Sequence, residues 1–131
     1  MRAPLPPLIA LCLLPWCGLG VGCATDTFSG RTIETYLADG QTEEAVLLLL
    51  SERARSTVGV ELQRPESGDW GEVIDNIHVT RTLEELSEPE RLALWKYMRV
   101  GRNWGLTGYD TFHLFFSRDE RLVVHLVEIG T

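Results

Sequence analysis

The sequence has few cysteines, three in 131 residues, and their placement excludes most of what cysteines do. Cys12 and Cys17 lie in an apolar N-terminal stretch, and Cys23 closes it. If that stretch is cleaved off, a single cysteine remains and no disulfide within the chain is possible, even in an oxidising compartment. Catalytic signatures are missing as well: there is no Gly-x-Ser-x-Gly, His-Glu-x-x-His, phosphate loop or Gly-x-Gly-x-x-Gly. Without them no enzymatic mechanism and no cofactor is expected. Positive charge is scarce, 12 Lys and Arg against 19 Asp and Glu, for a net charge of −7. That balance opposes binding of nucleic acid or anionic headgroups by the bulk surface and suits a neutral or basic protein partner. Internal repeats and low-complexity tracts are also absent.

What is present begins with an address. Arg2 precedes an uncharged, mostly apolar run from Leu5 to Val21, and Gly18, Gly20 and Gly22 gather at its end. A basic start, an apolar middle and a small-residue exit make a secretory signal over residues 1–22. A retained membrane helix is the alternative, but about 17 residues is near the lower limit for a span, and Pro6, Pro7 and Pro15 oppose a continuous helix. The segment Val21-Gly22-Cys23 resembles the box at which bacterial lipoproteins are lipidated, with Gly20 standing where an aliphatic residue is usual. The resemblance implies palmitate-type acylation at Cys23, and Ala24 beside it implies sorting to the outer membrane, facing the periplasm. Ordinary signal cleavage, leaving a secreted or periplasmic soluble protein, is the alternative. Several buried acyl chains, at about 0.8 kcal/mol per CH₂, anchor firmly. Residues 23–31 then read as a short tether, its last eight spanning at most roughly 28 Å, and residues 32–131 as one domain.

Within that domain Thr42 is a good N-cap for a helix over about 42–56, with Glu43 and Glu44 in the first turn where the helix dipole favours acid. Its Ala45–Leu50 run predicts heavy burial. Arg64–Gly71 is a loop by its Pro and Gly content. Ile74–Leu83 suits a strand. Ser87-Glu88-Pro89-Glu90 is either a capping box for a helix reaching Met98 or a turn before a strand over 94–100, with the strand preferred. The plainest element is a C-terminal hairpin, Thr111–Ser117 and Arg121–Ile129 around Arg118-Asp119-Glu120. Alternation puts Phe112, Leu114, Phe116, Leu122, Val124 and Leu126 on a core face toward the helix. His113, Phe115, His125 and their neighbours form a mixed second face, solvated or covered by another segment. The fold class is α+β: one main N-terminal helix on a small antiparallel sheet of three or four strands ending in the C-terminal hairpin.

Gly40-Gln41-Thr42-Glu43-Glu44-Ala45-Val46 followed by Leu49-Leu50, together with Phe112–Val124 and its polar turn, resembles small bacterial envelope lipoproteins of the BamE (SmpA/OmlA) type. The Gly-x-Pro that usually follows the first helix in that group is replaced here by Arg53–Ser56. The resemblance implies an envelope scaffold protein rather than an enzyme.

Three histidines are present, His78, His113 and His125. In the register above, His113 and His125 stand opposite each other with Cβ atoms about 5 Å apart. Such a pair has the spacing to share a metal with Glu128, Asp110 or His78, although no recognised ligand motif is present and two unliganded strand histidines are the commoner outcome. Trp104 and Tyr109, in and beside the Gly-rich 101–108 loop, are candidate partner anchors; folding back over the sheet is their alternative. The sequence thus leads to a non-enzymatic exported lipoprotein, held to the membrane through Cys23, that contacts another envelope protein. A periplasmic ligand-binding or inhibitor/immunity-type protein is the alternative.

Overall fold

The computed structural model describes residues 29–106 and 108–130. Among these residues four helices and four strands follow in order: α1 Gly30–Glu34, α2 Glu43–Leu50, β1 Arg55–Gln63, α3 Ile77–Glu84, α4 Glu88–Ala93, β2 Lys96–Asn103, β3 Tyr109–Phe116 and β4 Leu122–Gly130. A 3₁₀ turn, Trp70–Glu72, precedes α3. The strands form one antiparallel meander in the order β1-β2-β3-β4. The architecture is therefore α+β, as expected, but no helix dominates it among the described residues.

Both faces of the sheet are covered. On one face α1 and α2 enclose Ile33, Val46, Leu50, Met98, Val100, Phe112, Leu114, Phe116 and Leu122. On the other, the long β1–β2 connection lays Trp70, Ile74, Val79 and Leu94 over Tyr97 and Phe115. The mixed face of the hairpin is thus covered by another segment, one of the two outcomes expected for it. Strand alternation sends Phe112 and Phe115 to opposite sides of β3, and burying a Phe or Leu side chain on either side stabilises by about 1.5–3 kcal/mol.

Several expectations are corrected. The first main helix stops at Leu50, not near 56. Arg53 takes a left-handed conformation at φ 50°, and the chain turns directly into β1. Helix α2 is also less buried than its Leu run suggested: Val46 and Leu50 face the core while Leu48 is 74% exposed. Ile74–Leu83 is not a strand. The Asn76 side chain accepts from the backbone N–H groups of His78 and Val79 at 2.9 and 3.0 Å and so caps α3. Its i,i+4 pair Val79 and Leu83 then packs onto the sheet. At 87–100 both readings hold in part, because the Ser87–Glu90 capping box forms and opens a helix that ends at Ala93, and β2 follows at Lys96.

The C-terminal hairpin forms, but its register shifts between Phe115 and Phe116. Val123 is the extra residue: Phe116 pairs with Leu122, while Phe115 pairs with Val124. A β-bulge of this kind lets two residues oppose one and reverses the expected facing beyond it. Val124 and Leu126 therefore lie with the second cluster, and Val127 with the first.

Candidate functional site

The same bulge separates the histidines. His113 pairs with Leu126 and His125 with Leu114, so the two imidazoles lie on opposite faces of the sheet. His125 sits 3.6 Å from Glu34 of α1. The expected facing pair is thereby corrected, and no cluster of three or more His, Cys, Asp or Glu suited to a metal occurs among the described residues. Trp104 folds back: its Nε1 donates to Asp110 Oδ2 at 2.6 Å and its ring packs over Gly108. Tyr109 stays about half exposed, with its ring lying across Gly101. Cys23 lies outside the described residues. Of the expected tether, Gly30 and Arg31 belong to α1.

The structure instead assembles a polar chain around His113, which is only 2% exposed. Tyr97 Oη lies 2.7 Å from His113 Nδ1, and His113 Nε2 lies 2.5 Å from Glu128 Oε1. The same carboxylate oxygen accepts from Asn76 Nδ2 at 3.1 Å. Three strands and the α3 cap thus meet at one imidazole. The His113 and Asn76 hydrogen bonds hold the Glu128 carboxyl below its usual range. Burial pushes the Tyr97 phenol up, Glu128 adding to this and Arg99 opposing it. An ionised Glu128 only accepts, so His113 Nε2 donates to it, and Nδ1 shares one hydrogen with the Tyr97 hydroxyl. Beside this chain lies a small cavity of about 130 Å³. Val60, Leu62, Tyr97, Arg99 and His113 line it from the sheet, and residues 73–76 from above.

A larger, open concavity of about 420 Å³ lies on the outside of the β1–β2 connection, between the 67–71 loop, α3 and α4. Trp70 forms part of its wall, and the indole nitrogen of Trp70 is buried with no hydrogen-bond partner among the described residues. On the opposite face, α2 presents Ala45 and Leu48 outward beside a shallow groove that also includes Thr42, Glu44, Leu47 and Ser51.

Below α2, Arg102 is fully buried and closes the helix end. Its Nε donates to Leu50 O and its Nη2 to Glu52 O, both at 2.9 Å. Burial lowers the affinity of its guanidinium for a proton, and Asp110, its cross-strand neighbour, restores part of it. Lys96 plays the matching part at the other end of α2, paired with Glu43 and, at 3.3 Å, with Glu61.

Sequence reasoning missed the Tyr97–His113–Glu128 chain because its members are far apart in sequence and depend on the bulge. A signal did exist: Asn76 before an apolar i,i+4 pair marks a helix cap near β4, and Glu128 lies two residues beyond the register partner of His113. No helix among the described residues is long and apolar enough to cross a membrane. No family model, curated protein or solved structure matches the chain.

Proposed function

We propose that the protein is a non-enzymatic exported lipoprotein of the bacterial cell envelope that acts by binding another envelope protein. The membrane contact is the lipid on Cys23, and the contact surface is the outer ridge of α2. The observation that carries this reading is Leu48, which is 74% exposed at the centre of a helix whose other side is core. A leucine at such a position buries little of its side chain in the monomer. Apolar groups of this kind beside a groove mark interaction sites when a partner covers them. Half-buried Leu47 and Leu49 flank it, Ala45 extends it by one turn, and exposed Glu44 gives it an acidic rim. The partner chemistry that fits is an apolar centre with a neutral or basic border. An inhibitor or immunity-type protein would use the same ridge against a toxin.

The test places a photo-crosslinker at Leu48 and at exposed Val73 on the other side of the fold, in cells. Crosslinking to one envelope protein from position 48 and not from 73 is the expected result. Equal or absent capture at both sinks the reading. The anchor is checked separately by fatty-acid labelling: label on the wild type, and none on Cys23→Ser, is expected.

A further inference from the structure

We propose that the end of the sheet at the β2–β3 loop is a second membrane contact, at which Leu106 and its aromatic neighbours enter the apolar boundary of the bilayer beneath the headgroups. The proposal rests on the anchored reading above and adds an orientation to it, namely which end of the domain faces lipid.

The strand registers define that end. Arg55 of β1 pairs with Asn103 of β2, Asn103 with Tyr109 of β3, and Tyr109 with Gly130 of β4. These four residues form the last row across the sheet, and the β2–β3 loop projects beyond it. Leu106 in that loop is fully exposed, Tyr109 is about half exposed, and Ile129, one row further in, is also exposed. The base of the loop is pinned. The Trp104 indole donates to Asp110, and the Trp104 backbone N–H donates to Gly108 O at 3.0 Å. Leu106 is thus held outside a closed loop, beside a tryptophan and a tyrosine. Such rings concentrate at membrane–water boundaries because they are apolar on the body and polar at the tip.

The route of the chain selects lipid as the occupant. Gly30 lies against the Asp110 carboxylate, one row from this end. Glu34 reaches His125, which pairs with Leu114, four residues further along β3. The chain therefore enters the domain at the end that carries the loop and runs away from it. Ser29 follows Cys23 by six residues, at most about 21 Å of chain. An acyl anchor on Cys23 keeps this end within that reach of the bilayer. One leucine and two rings bind lipid weakly alone, but a short tether raises their effective concentration at the surface, and stable membrane attachment takes two such signals together.

Charge acts in the same direction. Arg31, Arg53 and Arg55 are exposed around the end row, against Glu52 as the one exposed acid there among the described residues. In a chain of net charge −7 this end is locally basic. Each arginine near an anionic leaflet favours the docked state by about fivefold.

The experiment places a photo-crosslinking amino acid at position 106, in cells whose phospholipids carry [³²P]phosphate. The control position is Leu92, which is also exposed. It lies at the far end of the domain, where its carbonyl accepts from Arg64 beyond the Gln63–Lys96 pair that closes the β1–β2 ladder. An acyl chain holds no phosphate, so the label reports phospholipid captured by the side chain and not the anchor. Labelled adduct from 106 about tenfold or more above that from 92 is expected, as burial of a leucine gives. Equal yields, no phospholipid adduct at 106, or a protein adduct there in its place overturns the proposal. Fatty-acid labelling of the same cells keeps the two readings apart. Fatty-acid label without a phospholipid adduct at 106 sinks this contact and leaves the anchor, whereas the adduct without fatty-acid label sinks the anchor and leaves the contact.

Discussion

Replacing Arg102 with methionine tests how the two halves of the first layer are joined. Arg102 is fully buried and its side chain satisfies the carbonyls of Leu50 and Glu52 at the end of α2. Methionine keeps most of the volume, so the cavity contribution is small and the loss is polar. Hydrogen bonds from a charged donor contribute about 1.5–3 kcal/mol each, and breaking a buried charge cluster by removing one partner costs about 3–5 kcal/mol. The Asp110 carboxylate, which sits opposite Arg102 in the β2–β3 ladder, loses its compensating charge and keeps Trp104 as a donor. A loss of about 3–5 kcal/mol is therefore expected. With a urea slope of about 1.5 kcal/mol per molar, the midpoint falls by about 2–3 M at unchanged slope. The double variant Arg102→Met/Asp110→Asn should lose less than the sum of its singles by about 1–3 kcal/mol, because the second change removes the charge that the first strands. Urea unfolding followed by circular dichroism reads both. A single-variant loss below about 1 kcal/mol, or strict additivity in the cycle, would refute the idea that this guanidinium joins α2 to the sheet.

Other outcomes are expected along the same lines. Gly30→Ala should cost about 1–3 kcal/mol by thermal unfolding, because a methyl there collides with the Asp110 carboxylate. Leu48→Ser should leave stability within about 0.5 kcal/mol while abolishing partner capture, which separates surface from core on α2. The Glu128 carboxyl is held below the usual carboxylate value, so its contribution is present above the unfolded value and is lost as pH falls through the depressed folded one. Unfolding midpoints measured downward from about pH 5 should therefore fall more steeply for wild type than for Glu128→Gln. For Lys96 burial alone would lower the pKa, but Glu43 and Glu61 raise it above 10.5 on balance. Its stabilisation is complete below the unfolded value and fades as pH rises through the folded one, so Lys96→Met should flatten the alkaline limb of the same profile.

The elements readable in advance were those whose local signals agree with their tertiary setting. Thr42 caps α2 as its sequence implied, accepting from Ala45 N at 3.1 Å, and the β3–β4 hairpin follows from alternation across a polar turn. What escaped reading was decided by distant contacts. The strand β1, Arg-Ser-Thr-Val-Gly-Val-Glu-Leu-Gln, is interrupted by Gly59 at its bulge and is mostly exposed, so its apolar pattern is too thin to show. Helix α3 carries Ile77, Val79, Thr80 and Thr82, which favour extended chain, yet the Asn76 cap and the packing of Val79 and Leu83 outweigh that preference. The site around His113 was legible only in its parts: each residue was visible, but the bulge at Val123 decides which of them meet.

That bulge also bears on how β4 tolerates changes of length. Residues 124–130 take their partners from β3 by a ladder that does not use Val123, while Gly40 and Gln41, between α1 and α2, fix Leu122 through its backbone N–H and C=O. The strand therefore carries one residue of slack between two independently pinned ends. Removing Val123 would regularise the ladder and leave His113 with Glu128. A second deletion between 124 and 127 would exhaust that slack and slide Glu128 off His113, so Val123 marks the place in this hairpin where chain length can change without moving the site.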